Sequence, residues 1–489
     1  MQYPVRRLRR DNEVYLPKRL SNPAWRVPEI GIVHLGLGNF HRAHQAVFTE
    51  DAMIAAGGDW GICGVIMRGD RQKHADFNSQ GGLYTLLERS TDRFDARVIR
   101  SVCEVLAAPQ QLASVLERLC DTRVKIVSLT ITEKGYCVDP VNGGLDTRHR
   151  DIVHDLAHPD APISAPGMLV AALRRRPGDP FTVMSCDNLS ENGRTVKKVV
   201  VQFARLLDAD LGAWIEKDVA FPCTMVDRIT PATTPIDLDD AQRITGMIDA
   251  LPVSCEPFRQ WVIEDTFPSG RPAWDRVGAQ LVEDVTPFEL AKLRMLNGAH
   301  STIAYLSVLS GYETVAAAMS DPDLKALIHA LLTDEIMPTL PSLPTLDLAA
   351  YRDALLARFS NVALAHRCMQ IATDGSKKIP QRLLAPIAER IRAGTPFRRL
   401  ALGVAAWMRF IAGSAQADAR YTISDPLSAT LTAAAVRANG DPQALVAGLL
   451  AMQEIFPAEL ASERVFVTEI SAALHALNRG VGSAMSLYK

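Results

Sequence analysis

The sequence carries almost no net charge: 53 lysines and arginines stand against 55 aspartates and glutamates, leaving -2 at pH 7. So balanced a chain offers no field to collect nucleic acid or an anionic membrane. Its local basic clusters, Arg6-Arg7-Leu8-Arg9-Arg10 and Arg174-Arg175-Arg176, read as solvated surface. It also lacks any C-x-x-C pair. Cys63, Cys103, Cys120, Cys137, Cys186, Cys223, Cys255 and Cys368 are scattered through apolar segments. That pattern argues against a disulfide scaffold and for free thiols in a reducing compartment. No apolar run approaches the length of a membrane span, and no signal-peptide core follows the basic N-terminus. Repeats and low-complexity tracts are absent. The expectation is a cytoplasmic protein, a monomer or small homo-oligomer, whose partner is a small molecule.

What remains is ordinary globular composition, 48% hydrophobic and 22% charged over 489 residues, enough for two or three domains. The first thirty residues are polar, contain Pro4, Pro17, Pro23 and Pro28, and read as an irregular arm. A strand over 31–35 then leads into Gly36-Leu-Gly38, a helix over 40–56 and a second strand over 61–67. Two more apolar strands, 124–130 and 181–186, end in polar residues. Strands alternating with helices predict a parallel, doubly wound sheet. From Thr286 onward helical patterns dominate, over 286–310, 322–334, 347–358, 380–393, 396–412, 427–437, 442–453 and 463–479. The division is an α/β, Rossmann-type domain over 1–280 and an all-helical domain over 281–489.

The richest stretch is Lys292-Leu-Arg-Met-Leu-Asn297-Gly-Ala-His300, which follows Thr286-Pro-Phe-Glu289. At about 100° per residue, Lys292 and His300 lie about 80° apart, Asn297 about 60° beyond, and Glu289 in between, an arc of about 140°. An amide donating to a carbonyl oxygen beside an amine that gives or takes a proton suits alcohol–ketone chemistry. Thr286-Pro-Phe-Glu289 also reads as a capping box, so Glu289 has a purely structural alternative. Gly36-Leu-Gly38-Asn39-Phe40-His41-Arg42 follows a strand and opens a helix, the context for a pyrophosphate held by backbone N–H groups. His41 replaces the third glycine of the dinucleotide fingerprint, so a plain tight turn is the alternative. At the end of the second strand, Asp70 would accept from ribose hydroxyls and favour NAD, whereas Arg68 would meet a 2′-phosphate. His34, His41 and His44 lie close together, but no cysteine or carboxylate set completes a zinc site, and no metal is expected.

These words together resemble the mannitol dehydrogenase family, the long-chain polyol and sugar-acid dehydrogenases. The resemblance extends through Ser128-Leu-Thr-Ile-Thr-Glu-Lys-Gly-Tyr136, Val183-Met-Ser-Cys-Asp-Asn188, Phe221-Pro-Cys-Thr-Met-Val-Asp227, Glu256-Pro-Phe-Arg-Gln-Trp-Val-Ile-Glu-Asp265 and Gln370-Ile-Ala-Thr-Asp-Gly-Ser376. It implies the same two-domain division, with a helical part of the 6-phosphogluconate dehydrogenase type and the active site in the cleft between the parts. It implies metal-free chemistry with NAD. Gly36, Gly38, Asn39, Phe40, His41, Arg42 and Asp70 would serve the cofactor. Lys292 would be the acid/base, Asn188 and Asn297 the oxyanion donors, His300 a substrate hydroxyl partner, and Glu289 a proton path to solvent.

Asp227, Arg367, Gln370 and Lys378 would line the substrate pocket by the same resemblance. Gln370 stands where the family's mannitol enzymes carry arginine. The run from His366-Arg367 to Pro380-Gln-Arg382 is most similar to the fructuronate reductases (D-mannonate oxidoreductases), and Lys378 or Arg367 would then pair with a uronate carboxylate. Those charges would otherwise knit the domain together. The leading expectation is reduction of D-fructuronate to D-mannonate with NADH. The alternatives are a mannitol 2-dehydrogenase or D-arabinitol 4-dehydrogenase, and a catalytically silent dinucleotide-binding regulator.

Overall fold

The computed structural model describes residues 5–489 except 70, 141, 343–345, 365, 417–418 and 420. The chain forms two compact units, Met1–Thr286 and Pro287–Lys489. The first is built on five parallel strands in the order Val102–Ala107, Gly61–Ile66, Ile30–Leu35, Ile126–Leu129, Thr182–Ser185. Their side chains alternate between two cores, the period of two that a pleated strand imposes. Val33, Leu35, Cys63, Val65, Val127 and Val183 meet helices Ala108–Cys120, Ala165–Arg174 and Asn192–Leu207 on one face. Ile32, Ile62, Ile66, Ile126 and Met184 meet helix Gln45–Ala56 on the other. A strand buried on both faces reads as a largely apolar run, which is how four of the five are visible without polar alternation; Val102–Ala107, interrupted by Glu104, was not among the expected strands. Each such side chain contributes about 1.5–3 kcal/mol, so the sheet is a stiff floor for what its ends carry.

The chain winds from Ile30–Leu35 toward one edge and then returns to the other side with Ile126–Leu129. The crevice beyond these two strands is the topological switch point, where open α/β sheets bind ligands. The helix expected over 40–56 is broken into Asn39–Ala43 and Gln45–Ala56. His44 stands at the break with φ −122° and ψ −85°, and its Nε2 donates to the Gln260 carbonyl at 2.8 Å.

The N-terminal arm is not irregular throughout. Arg10–Tyr15 forms a 3₁₀ turn, and Leu8, Leu16 and Leu20 are buried against Leu83, Leu87 and Val98. Two three-stranded sheets went unforeseen: Phe94–Ile99, Tyr84–Arg89 and Val253–Cys255, and Gln280–Val282, Gln260–Glu264 and Thr224–Asp227. The second unit is helical. Its helices include Thr286–Ala291, Ala299–Ser310, Pro322–Ala330, Leu348–Phe359, Ala385–Arg392, Arg398–Ser414, Ser428–Ala438, Pro442–Leu450 and Arg464–Arg479. All eight cysteines are unpaired. Among the described residues, no helix is long and apolar enough to cross a membrane.

Candidate active site

The helix entering the second unit is α-helical over Thr286–Ala291, becomes a π-helix over Lys292–Gly298, and returns to α over Ala299–Ser310. A π-helix closes its hydrogen bonds from i to i+5. Lys292 and Asn297 are five residues apart, so in this stretch they stand as i and i+4 do in an α-helix, one above the other. In a regular α-helix they would lie about 140° apart. Counting the stretch as one residue added to the turn narrows the arc of Glu289, Lys292, Asn297 and His300 to about 80°. Glu289, Lys292 and Asn297 are half-buried, and Arg294, Met295 and Leu296 turn inward. Arg294 fixes the helix's rotation: it grips both Glu389 carboxylate oxygens at 2.6 and 2.7 Å and donates to Thr339 O at 2.7 Å. Arg382 donates to the Asn297 carbonyl (3.4 Å) and to Ser301 Oγ (3.1 Å), tying down the wide turn from outside. The helix start is capped by Asp284, whose Oδ1 accepts from the Thr286 N–H at 2.9 Å.

His300 is buried, its imidazole between the rings of Phe359 (centroids 4.6 Å apart) and His366 (5.3 Å). Burial, then the charges of His366, Arg358 and Arg382, hold its pKa well below the usual histidine value. It is therefore a neutral ring with one donor and one acceptor, fit for a hydroxyl.

The Asp374-Gly-Ser segment is largely architectural. Asp374 takes a left-handed φ of 54°, and its carbonyl accepts from the N–H groups of Lys377 and Lys378. A Cβ on Gly375 would sit 2.3 Å from Trp407 Nε1. Ser376 is bound by Asp425 through both N–H and Oγ. Lys378 is half-buried and donates to Ile371 O and Thr373 Oγ1, each at 3.2 Å. Arg367, Gln370 and Lys377 are exposed.

At the switch point of the first unit, Gly36 has φ +97°, and a Cβ there would lie 2.2 Å from the Thr130 carbonyl. Only glycine permits that approach. On Gly38 a Cβ would meet nothing nearer than Gly36 O at 3.7 Å, so that side of the turn is open to a ligand. The N–H groups of the following helical turn have no intrahelical partner. Asn39 is tethered, its amide donating to Thr233 Oγ1 (3.1 Å) and accepting from Arg42 (2.7 Å). Phe40 is half-buried and stacks on His44 at 5.1 Å.

The side chains of His41 and Arg42 are both buried beneath the turn. His41 stacks on His34 at 3.4 Å. Arg42 donates to Leu251 O and lies within about 5 Å of the Phe77 and Tyr84 rings. Any ligand contact at these positions falls to the backbone. Asp70 lies outside the described residues, and Arg68 is exposed past the end of Gly61–Ile66. His34's two ring nitrogens are bonded to Ser128 and Thr130 hydroxyls at 2.8 Å each. Among the described residues, no group of three or more His, Cys, Asp or Glu is placed to hold a metal ion.

Asn188 is exposed just beyond Thr182–Ser185. Its neighbour Asp187, which the sequence did not single out, fixes it. The Asp187 carboxylate accepts from the N–H groups of Ile131 (2.8 Å) and Thr132 (3.0 Å) and from the Tyr136 hydroxyl (2.6 Å), joining the loops after two adjacent strands. Asn192 adds a second tie by donating to the Asp187 carbonyl (3.1 Å) and to Thr224 O (2.9 Å). Thr132 has φ 64° and ψ 162°, a conformation costly for a residue with a Cβ. A polar residue directly before Asn188 at a strand end was the only available signal. Asp227 is buried at the end of Thr224–Asp227.

Burial also drives the pKa of His34 and His44 down to about 3. Their neutral forms are what the fold accommodates. Below the unfolded value of 6.5 the unfolded chain takes up protons that the folded chain refuses. Stability is therefore complete above pH 6.5 and declines as pH falls toward 3, by about 2 kcal/mol per such ring at pH 5. Buried Glu50 and Asp249, whose pKa values are pushed up by burial, act in the opposite sense. The imidazole share is isolated by comparison with His34→Gln, whose Tm should fall less between pH 7.5 and 5 than that of the native chain. Equal slopes would contradict a neutral buried His34.

Residues 30–276 match the mannitol dehydrogenase Rossmann domain and residues 284–478 the mannitol dehydrogenase C-terminal domain. D-mannonate oxidoreductase of Escherichia coli (strain K12) is 45% identical over 466 residues, covering 94% of this chain and 96% of that protein. Mannitol 2-dehydrogenase of Cereibacter sphaeroides is 41% identical over 460 residues, covering 93% and 95%. The structure of Pseudomonas fluorescens mannitol 2-dehydrogenase in ternary complex with NAD and D-mannitol superposes with a TM-score of 0.86 at 39% identity, covering 98% of this chain and 99% of that one. The chain belongs to the mannitol dehydrogenase family of oxidoreductases.

Proposed function

We propose that this chain is an NAD(H)-linked oxidoreductase that interconverts D-fructuronate and D-mannonate. The observation that carries the reading is the π-helical turn, which stacks Lys292 and Asn297 on one half-buried face with His300 one turn on. The open turn at Gly36–Gly38 and the helix start at Asn39 behind it suit the pyrophosphate of the dinucleotide. Bound there, the nicotinamide supplies the acceptor of the hydride, or its donor in reduction. Lys292 takes the hydroxyl proton of mannonate as the alcohol is oxidised and returns it to the ketone oxygen in reduction. Asn297 and Asn188 each donate an amide N–H to that oxygen, favouring its alkoxide-like state over the neutral alcohol. His300 binds a neighbouring hydroxyl as a neutral ring. Glu289 passes the lysine's proton toward solvent.

The sugar-acid reading is supported by Gln370 in place of the arginine of the mannitol enzymes, with Arg367, Lys377 and Lys378 nearby in sequence as cationic partners for a carboxylate. The polyol reading is favoured by one observation: Lys378 already bonds its own turn through Ile371 O and Thr373 Oγ1. NADH oxidation with D-fructuronate and with D-fructose decides between them. A carboxylate bonded to one cation should raise kcat/KM for fructuronate over fructose about 10- to 150-fold, and Lys378→Met or Arg367→Met should reduce that ratio. Equal or better use of fructose would establish the polyol dehydrogenase instead.

A further inference from the structure

His300 and His366 meet edge to face, ring centroids 5.3 Å apart and planes at 87°. Among the described residues, neither His300 Nε2 nor His366 Nδ1 has a hydrogen-bond partner, although both atoms are shut off from solvent. Buried polar atoms left unmatched are uncommon and call for an explanation. The main chain at His366 is firmly fixed. Its carbonyl accepts from the Val315 N–H (3.0 Å), and its N–H donates to Leu364 O (2.7 Å). Directly after it, Arg367 bridges Thr314, and the Cys368 N–H donates to Glu313 O at 2.9 Å. The ring is thus presented beside His300 on a rigid connection. Burial holds both rings in the neutral form. A neutral imidazole offers one donor and one acceptor, the complement of a hydroxyl. A carboxylate takes its strongest hydrogen bonds from cations, which these neutral rings are not.

We propose that His366 is a second substrate-binding imidazole, which together with His300 takes two neighbouring hydroxyls of the sugar chain and so determines the hydroxyl pattern the enzyme accepts. The inference rests on the reading of His300 as a substrate contact. It assigns this pair to the hydroxylated part of the chain and leaves a carboxylate to cations elsewhere.

The test pairs a variant with altered substrates. His366→Phe keeps an aromatic edge against His300 and removes the polar atoms. Steady-state kcat/KM is measured for native enzyme and variant with the ketose substrate and with its monodeoxy analogues, one hydroxyl at a time. The variant should lose about 5- to 50-fold on the full substrate and lose nothing on the one analogue that lacks the His366 partner hydroxyl. His366→Gln, which retains a donor and an acceptor, should recover part of the loss, and it carries the same comparison where the Phe variant fails to fold. An equal loss on every analogue would mean that His366 only packs the domain. No loss on the full substrate would mean that its nitrogen binds a water. Either result overturns the proposal. Failure of the functional reading itself looks different: the native enzyme would then turn over neither ketoses nor keto-sugar acids.

Discussion

Lys292→Ala should turn over about 10²- to 10⁴-fold more slowly than the native enzyme, the range over which a positioned acid or base accelerates a reaction. Hydride departure from an alcohol carbon leaves an oxygen that must shed its proton, and Lys292 is the amine on the face that also carries Asn297. NADH affinity should scarcely change. The turn at Gly36–Gly38, the proposed cofactor site, belongs to Met1–Thr286, whereas Lys292 belongs to Pro287–Lys489. The fold should persist as well, because Arg294 with Glu389 and Thr339 fixes the rotation of this helix, and Lys292 takes no part in that contact. Steady-state rates together with an NADH fluorescence titration check both halves. Unchanged turnover would remove the lysine from the mechanism.

Asn297→Ala should slow kcat about 10²- to 10³-fold, equivalent to about 2.7–4 kcal/mol of barrier for one lost oxyanion donor. The oxygen gains charge only on the way to alkoxide, so ground-state binding should suffer less than catalysis. The main chain of the turn should survive, because Arg382 bonds the Asn297 carbonyl, which alanine retains. Asn188→Ala should behave in the same way, with Asp187 still joining the two loops beneath it. A rise in KM with normal kcat would recast either asparagine as a binding residue.

What the sequence disclosed follows the range of the forces involved. The sheet strands other than Val102–Ala107 were legible because burial on both faces writes a largely apolar run, as in Gly61–Ile66 and, but for His34, in Ile30–Leu35. The tight turn after Ile30–Leu35 was legible because Gly36 answers to a local demand, a positive φ against Thr130. The direction in which His41 and Arg42 point was not, since a motif does not say which of its side chains face inward. Tyr84–Arg89 pairs with Val253–Cys255 across more than half of its unit, and no short window contains such a pairing.

The π-helical turn was hidden for another reason. Lys292 to Leu296 are ordinary helix formers that give no sign of it, and the extra residue is accommodated by tertiary contacts: Arg382 on the Asn297 carbonyl and the Arg382 main chain 3.1 Å from where a Gly298 Cβ would lie. An α-helical reading therefore spreads the four polar residues over too wide an arc. His366 opens the segment that resembles the substrate-binding run, but its pairing with His300 is not legible in the sequence, because only the fold sets the two rings together.

The central claim is that Lys292 and Asn297 act together on one oxygen. Groups that serve one transition state as a unit are strongly non-additive. The most direct measurement is kcat/KM for NADH-dependent ketone reduction by the Lys292→Ala/Asn297→Ala double variant beside the two single variants. The double variant should lose scarcely more than the worse single one. A loss equal to the product of the two single losses would show that the residues work independently and would contradict the account.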